Sequence, residues 1–381
     1  MRTAGSPFPA STHFNRQDAS STGCPLLTPT ASNRFDLIRL LLAAGVFIYH
    51  AVALAGVDMG GPVEATLAQF AEICIQGFFI VSGALVAGSL DRSSTALDYA
   101  GKRLRRVYPA YAVILLIPAA VSFALTQDGQ GAARYLASNL AFLNFLEPNL
   151  PGLFESNRFT EVNGALWTLK IEVMFYIALP LIFLVLNMFR GLWWVVILAL
   201  YIAGEVWAWL VPQVIDGGMG EMIARQLPGQ MAFFAMGIAI WKVEPLLRRR
   251  WRRLPLPGMV FLFGSLIFPE LEPLRAIALA SLIAAIAFAP GPALSPARFG
   301  DISYGLYITH FPILQAMLAA GLLTAIGALG FFALATLLVA LASLVLWHLV
   351  EKPALRPSSH YRKMTPQETT QRKHRHARLR I

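Results

Sequence analysis

Leu37-Ile-Arg-Leu-Leu-Leu-Ala-Ala-Gly-Val-Phe-Ile-Tyr-His-Ala-Val-Ala-Leu-Ala-Gly56 is the stretch that decides how this chain is read. It is long and apolar enough to cross the hydrocarbon core of a bilayer as one helix. It nevertheless carries Arg39 and His50, and ionisable groups at membrane depth are costly and mark function. They stand eleven positions apart. On a helix that spacing is three turns plus about 20°, so both side chains share one face, about 16 Å apart along the axis. Arg39 stands near the start of the span and can snorkel to the headgroups. His50 lies past the middle and has no such exit.

The rest of the chain repeats this character. Its 381 residues are 56% hydrophobic and 14% charged, with mean hydropathy +0.59. Soluble domains hold about 25% charged residues, so the composition points to a polytopic membrane protein rather than two or three soluble domains. Of the two cysteines, Cys24 falls in a polar segment and Cys74 in an apolar one, which implies neither a disulfide framework nor a cysteine metal site. The formal net charge of +10 is confined to particular loops, a pattern of membrane topology rather than of nucleic-acid binding. Residues 1–32, rich in Ser, Thr, Pro and Ala, read as a disordered cytoplasmic tail. Residues 33–353 form one transmembrane domain, and 354–381 a basic cytoplasmic tail.

Apolar runs and polar breaks predict an all-α protein of about ten transmembrane helices, near 36–56, 67–90, 107–125, 166–188, 191–211, 222–242, 256–270, 273–290, 302–322 and 325–350. The break Pro269-Glu-Leu-Glu-Pro273 leaves a re-entrant hairpin open for the seventh and eighth. With both termini cytoplasmic, 25 of the 31 Lys and Arg residues fall on inside segments, four on outside segments and two within spans. That asymmetry is the positive-inside pattern expected of an even span count. The longest outside segment, about 126–165, has an apolar middle, Tyr135 to Phe145, suited to lying on the membrane or plugging a cavity mouth.

This topology sets depths. His50 lies about six residues from the outer end of the first span, and Glu172 about six from the outer end of the fourth, each roughly 9 Å deep. A histidine and a carboxylate at one depth can act as a base and its orienting group, provided the two helices are neighbours. Lys170 is about 200° from Glu172 around the helix and points elsewhere, outward to the interface. Trp167 and Tyr176 read partly as interfacial anchors. Gly101-Lys-Arg-Leu-Arg-Arg-Val-Tyr-Pro109 sets four cations before the third span, either as topology signal or as a clamp for phosphates. Arg248-Arg-Arg-Trp-Arg-Arg253 reads as a lipid-surface cluster. Gly77-Phe-Phe-Ile-Val-Ser-Gly83 allows close approach of a helix or ligand. His310, two residues before Pro312, is a second intramembrane histidine, and the proline predicts a local kink beside it. No P-loop, nucleophile elbow or His-Glu-x-x-His motif is present, so ATP-driven transport, serine hydrolysis and zinc proteolysis lack support.

In order, these pieces resemble the acyltransferase-3 family of integral-membrane acyltransferases. The resemblance rests on Asn33-Arg-Phe-Asp36 followed by Arg39-x10-His50, then Gly77–Gly83, Arg103-Leu-Arg-Arg-Val-Tyr-Pro109, Leu166-Trp-Thr-Leu-Lys-Ile-Glu-Val-Met-Phe-Tyr176, Ser303-Tyr-Gly-Leu-Tyr-Ile-Thr-His-Phe-Pro312 and Val350-Glu-Lys-Pro353. Where the family carries two adjacent glutamates, this chain has Glu172 and then Val173, and no soluble hydrolase-like domain follows the last span. The resemblance implies transfer of an acyl group, commonly acetyl, from cytoplasmic acyl-CoA to a hydroxyl of an envelope or exported glycan at a bacterial inner membrane. It implies catalytic roles for His50, Arg39 and Glu172, with His50 as base or acyl carrier. Arg103, Arg105, Arg106, Tyr108 and Ser82 are then expected at the CoA site, and His310, Tyr307 and Trp167 as substrate or structural residues. The expected partners are membrane lipid and a glycan or lipid-linked glycan acceptor, with self-association left open, no nucleic acid and no metal. The alternative is a proton-coupled transporter or exporter with His50, Glu172 and His310 as its relay.

Overall fold

The computed structural model describes residues 34–57, 61–290, 301–357 and 359. The N-terminal tail, the C-terminal tail apart from 354–357 and 359, Cys24, Asn33 and Arg298 lie outside the described residues. Each predicted apolar run contains a helix, and no strand occurs among the described residues. In chain order the helices are α1 (Phe35–Ala55), α2 (Gly61–Asp91), α3 (Ala96–Thr126), α4 (Gly129–Leu140), α5 (Leu166–Met188), α6 (Trp193–Val214), α7 (Gly218–Ala224), α8 (Met231–Lys242), α9 (Glu244–Arg250), α10 (Pro255–Ile267), α11 (Arg275–Phe288), α12 (Ile302–Ala319) and α13 (Leu322–Leu346). A π-helical turn, Trp347–Glu351, and a short α14, Lys352–Ala354, complete the fold.

Among the described residues, seven helical stretches are long and apolar enough to cross a membrane. The chain is a multi-pass membrane protein. The other three predicted spans are shorter or more polar. The expected span 222–242 is not one helix: α7 ends at Ala224 and α8 begins at Met231. Pro228 removes a backbone donor, and a Cβ at Gly229 would lie 1.8 Å from the Ala224 carbonyl oxygen, so the chain turns there. Helix α10 has 13 residues, and the Pro269–Pro273 break is a 3-10 turn, Pro269–Leu274, leading into α11. Helix α12 has 18 residues and includes buried Ser303, Thr309, His310 and Gln315.

Packing follows the small residues. Helix α2 lies along α8, α1 between α2 and α12, and α12 along α13. A Cβ at Gly83 would sit 2.4 Å from the Phe234 carbonyl oxygen, and one at Gly237 would sit 2.1 Å from that of Ile80. The glycine-containing run Gly77–Gly83 therefore serves backbone contact between helices. In lipid, where hydrophobic transfer no longer drives helix pairing, such close contact supplies the dispersion energy that does. Beside it, Phe175 of α5 stacks on Phe234 with centroids 4.1 Å apart.

The 126–165 segment is ordered against the bundle. Asp128 caps α4 by accepting from the Gly131 amide at 2.9 Å. Tyr135, Leu150, Leu153 and Val162 are buried with side chains of α1, α3 and α12. Asn157 donates to the Gln315 carbonyl (3.0 Å) and side-chain oxygen (2.9 Å). Gln315 in turn donates to the Phe159 and Glu161 carbonyls at 2.7 and 2.9 Å. Buried backbone groups need partners of this kind. The segment roofs the end of the bundle where α1 finishes.

Candidate active site

Helices α1 and α12 bring the two intramembrane histidines together. His50 Nδ1 lies 2.8 Å from His310 Nε2. Phe47 and Phe311 flank the pair edge-on. His310 is fully buried, whereas His50 is a partly buried residue. His310 Nδ1 faces the Leu306 carbonyl at 3.1 Å. Pro312 cannot donate to the Ile308 carbonyl one turn back; Asn163 of the roof donates there instead, at 2.9 Å. Arg158 anchors the same roof to the Ala53 carbonyl of α1 at 2.8 Å.

At the other end of α1, Arg39 joins a buried ion cluster. Arg39 Nη1 donates to Asp301 Oδ2 at 2.8 Å. Arg106 Nη2 makes a short contact with the same oxygen, and Arg106 Nη1 donates to Glu351 at 2.6 Å. Ser303 donates to the other Asp301 oxygen at 2.7 Å. Tyr304 and Trp347 lie 5.6 and 5.9 Å from the Arg106 guanidinium carbon. Two guanidinium and two carboxylate groups cancel in charge, so each buried ion has an opposite partner. Burial pushes the Asp301 carboxyl up, but Arg106 and Arg39 outweigh it and hold the group below the usual carboxylate range.

Between these two ends α1, α2, α3, α5 and α12 enclose a cavity of about 490 Å³. Arg92, Lys102, Arg103, Arg105 and Arg356 line its basic end. Ser82, Glu172 and Tyr176 form one wall: Glu172 accepts from Ser82 Oγ at 3.3 Å and from the Tyr176 hydroxyl in a short bond. Arg103 donates to Ser89 Oγ at 3.2 Å and sits over the Tyr176 ring. At the far end, Phe78, Thr168 and Tyr307 close the cavity, with 2.5 Å between the Thr168 and Tyr307 hydroxyl oxygens. Tyr307 is also a ring neighbour of His310, at 5.9 Å between centroids. The cavity thus ends one helical turn from the histidine pair.

The expected neighbours differ in several respects. His50 pairs with His310, and Glu172 is engaged by Ser82 and Tyr176; equal depth on two helices did not make them adjacent. Arg103, Arg105 and Arg106 line the cavity, but the Arg106 guanidinium is committed to Asp301 and Glu351. Tyr108 does not line the cavity: its ring packs against Tyr111 and Phe142, and its hydroxyl lies 3.5 Å from the Leu140 carbonyl. Trp167 is half-buried against the α2–α5 core. Lys170 leaves the cavity and meets the Phe145 ring, in keeping with its outward direction. Asp301 and Asn163 went unnoticed in the sequence, and Glu351 was read only as part of the closing Val350–Pro353 motif. Asp301 directly precedes the run Ile302-Ser-Tyr, and an acidic residue opening a span that faces two intramembrane arginines was the available signal.

The acyltransferase-3 family model, described as an acyltransferase domain, matches residues 32–348. "Nodulation protein 10" of Rhizobium leguminosarum bv. viciae is 28% identical, over 85% of this chain and 93% of its own length. An "O-acetyl transferase" of Shigella phage Sf6 is 24% identical, over 86% and 97%. "Exopolysaccharide production protein ExoZ" of Rhizobium meliloti is 28% identical, over 73% and 88%. No solved structure matches. A family match across most of the chain, over a helical bundle that encloses a basic-mouthed cavity and paired histidines, establishes that this protein belongs to the acyltransferase-3 family and is an integral-membrane acyltransferase.

Proposed function

We propose that this protein is an O-acetyltransferase of a bacterial inner membrane, taking acetyl from cytoplasmic acetyl-CoA and giving it to a hydroxyl of an envelope or exported glycan. The observation that carries this reading is the cavity: basic where it opens, apolar and hydroxylic where it ends, and one helical turn from His310 and its partner His50. Lys102, Arg103 and Arg105 are suited to CoA phosphates, for which guanidinium forks are matched donors. The positive-inside distribution favours the cytoplasm at this end. The relatives' names support the chemistry, one being an O-acetyl transferase and another an exopolysaccharide production protein.

In this reading His50 takes the proton of the acceptor hydroxyl as the oxygen attacks the thioester carbonyl. The new C–O bond forms, the C–S bond breaks, and His50 returns the proton to the departing thiolate. Alternatively His50 accepts the acetyl on nitrogen and passes it to the acceptor in a second step. Glu172 shapes the donor wall through Ser82 and Tyr176. Its engagement there also argues against a His50–Glu172–His310 proton relay, so transport is the weaker reading.

The test uses purified protein in nanodiscs with acetyl-CoA. Release of CoA thiol that depends on a glycan acceptor and is lost in His50→Ala supports the proposal. Solute accumulation in vesicles without CoA turnover overturns it. Mass spectrometry of envelope glycans with and without the gene identifies the acceptor and the acyl group.

A further inference from the structure

We infer that His310 is a positioning residue that fixes the tautomer of His50, leaving His50 Nε2 as the atom that reacts with the acceptor hydroxyl or the acyl group. The inference deepens the acyl-transfer reading and rests on it. A carbonyl oxygen only accepts, so His310 Nδ1, facing the Leu306 carbonyl at 3.1 Å, carries the hydrogen. A neutral imidazole has one N–H, and His310 Nε2 is therefore a lone pair. It faces His50 Nδ1 at 2.8 Å, and two lone pairs do not meet at that distance. His50 Nδ1 must donate, and the lone pair of His50 falls on Nε2.

The opposite assignment needs a doubly protonated His310. That cation would stand fully buried, with no carboxylate hydrogen-bonded to either ring among the described residues, and Glu172 is held by Ser82 and Tyr176. Burying an unpaired charge is costly. Burial also separates the two rings by role. His310 is sealed, while His50 is partly buried and its Nε2 has no protein partner among the described residues.

The arrangement resembles the orienting half of a catalytic triad with a neutral imidazole in place of a carboxylate. When His50 Nε2 takes the acceptor proton, the ring becomes a cation whose Nδ1–H points at the His310 lone pair. The positive charge stays on the partly buried His50 ring, and His310, itself neutral, accepts from it while its own Nδ1–H remains on the Leu306 carbonyl.

The direct test is ¹⁵N NMR of histidine-labelled protein in nanodiscs without substrate, with His50 assigned by the signal lost in His50→Gln. Hydrogen on Nδ1 and a bare Nε2 is the expected result; hydrogen on Nε2 overturns the inference. This readout is independent of activity, so an absence of CoA release in the unsubstituted protein would sink the acyl-transfer reading and leave the tautomer question answered. In kinetics, His310→Leu removes the acceptor and is expected to lower kcat on the order of 10²-fold, with KM for acetyl-CoA unchanged within about twofold. His310→Gln, whose side-chain oxygen reaches the Nε2 position, is expected to recover about tenfold of that loss. Equal kcat in the unsubstituted protein and His310→Leu overturns the inference. So does a KM rise that accounts for the whole effect of His310→Leu.

Discussion

Helix α1 presents one face to two very different environments. At Arg39 it enters a cluster of two guanidinium and two carboxylate groups, in which Arg106 contacts both acids and Asp301 contacts both arginines. At His50 it meets a single imidazole, and the hydrogen bonds run from ring to ring to backbone without a formal charge. The charged end ties α1, α3, the start of α12 and the π-turn after α13 into one joint. The neutral end leaves a lone pair on a partly buried residue. The first arrangement resists movement, and the second is open to proton transfer; one helix couples them across about 16 Å.

Substitutions break the comparison in opposite ways. His50→Ala is expected to reduce acetyl-CoA turnover about 10³-fold while leaving the melting temperature near that of the parent. Thiol release and thermal scanning of the same sample check both halves. Asp301→Asn is expected to do the reverse first: two buried arginines lose their shared acid, at a cost of about 3–5 kcal/mol, read as a lowered melting temperature and poor yield. A sample of Asp301→Asn as stable as the parent would show that the cluster is not a structural joint.

Acid sharpens the same contrast. The Asp301 carboxyl is held below its unfolded value, so its stabilisation is present in full above about pH 5 and fades as pH falls through the lowered folded value. Melting temperature attributable to Asp301, measured as the difference between parent and Asp301→Asn, should shrink as pH falls below about 4. Smaller effects belong to the cavity. Lys102→Gln with Arg105→Gln is expected to raise KM for acetyl-CoA about tenfold at low salt and less at high salt, because exposed charge pairs are screened. Glu172→Gln is expected to change kcat by only about twofold, with its effect on donor KM. A loss as large as that of His50→Ala would move Glu172 into the chemistry.

Much of the fold was legible because hydrocarbon imposes a length and a composition on every crossing segment. Helices α1, α5 and α6 lie where apolar runs placed them, whereas α3 starts at Ala96, well before its expected 107–125, and takes in the cations 102–106. The 222–242 run misled because hydropathy counts Pro228 and Gly229 as mild interruptions, whereas backbone geometry makes them a turn. The candidate site was legible in its residues and not in its pairings. His50 and Arg39 stood out as ionisable groups in one span, but their partners, His310 and Asp301, lie 260 and 262 positions away. Depth is one coordinate, and it does not name partners: Glu172 of α5 lines the same cavity but is engaged by Ser82 and Tyr176. Asn163 was hidden for another reason: its role is to satisfy a carbonyl that Pro312 leaves open, and neither residue signals the other by type or spacing.

That last bond has a bearing on how such proteins can be recombined. The roof segment completes the hydrogen-bond ladder of α12 from outside the helix, through the Asn163 amide on the Ile308 carbonyl. Residues 126–165 are therefore not an interchangeable cassette. A chimera carrying a relative's outer segment needs a donor at the Asn163 position whenever it keeps Pro312, or it leaves a buried acceptor stranded two residues from His310. The roof segment and the histidine pair are, in that sense, inherited together.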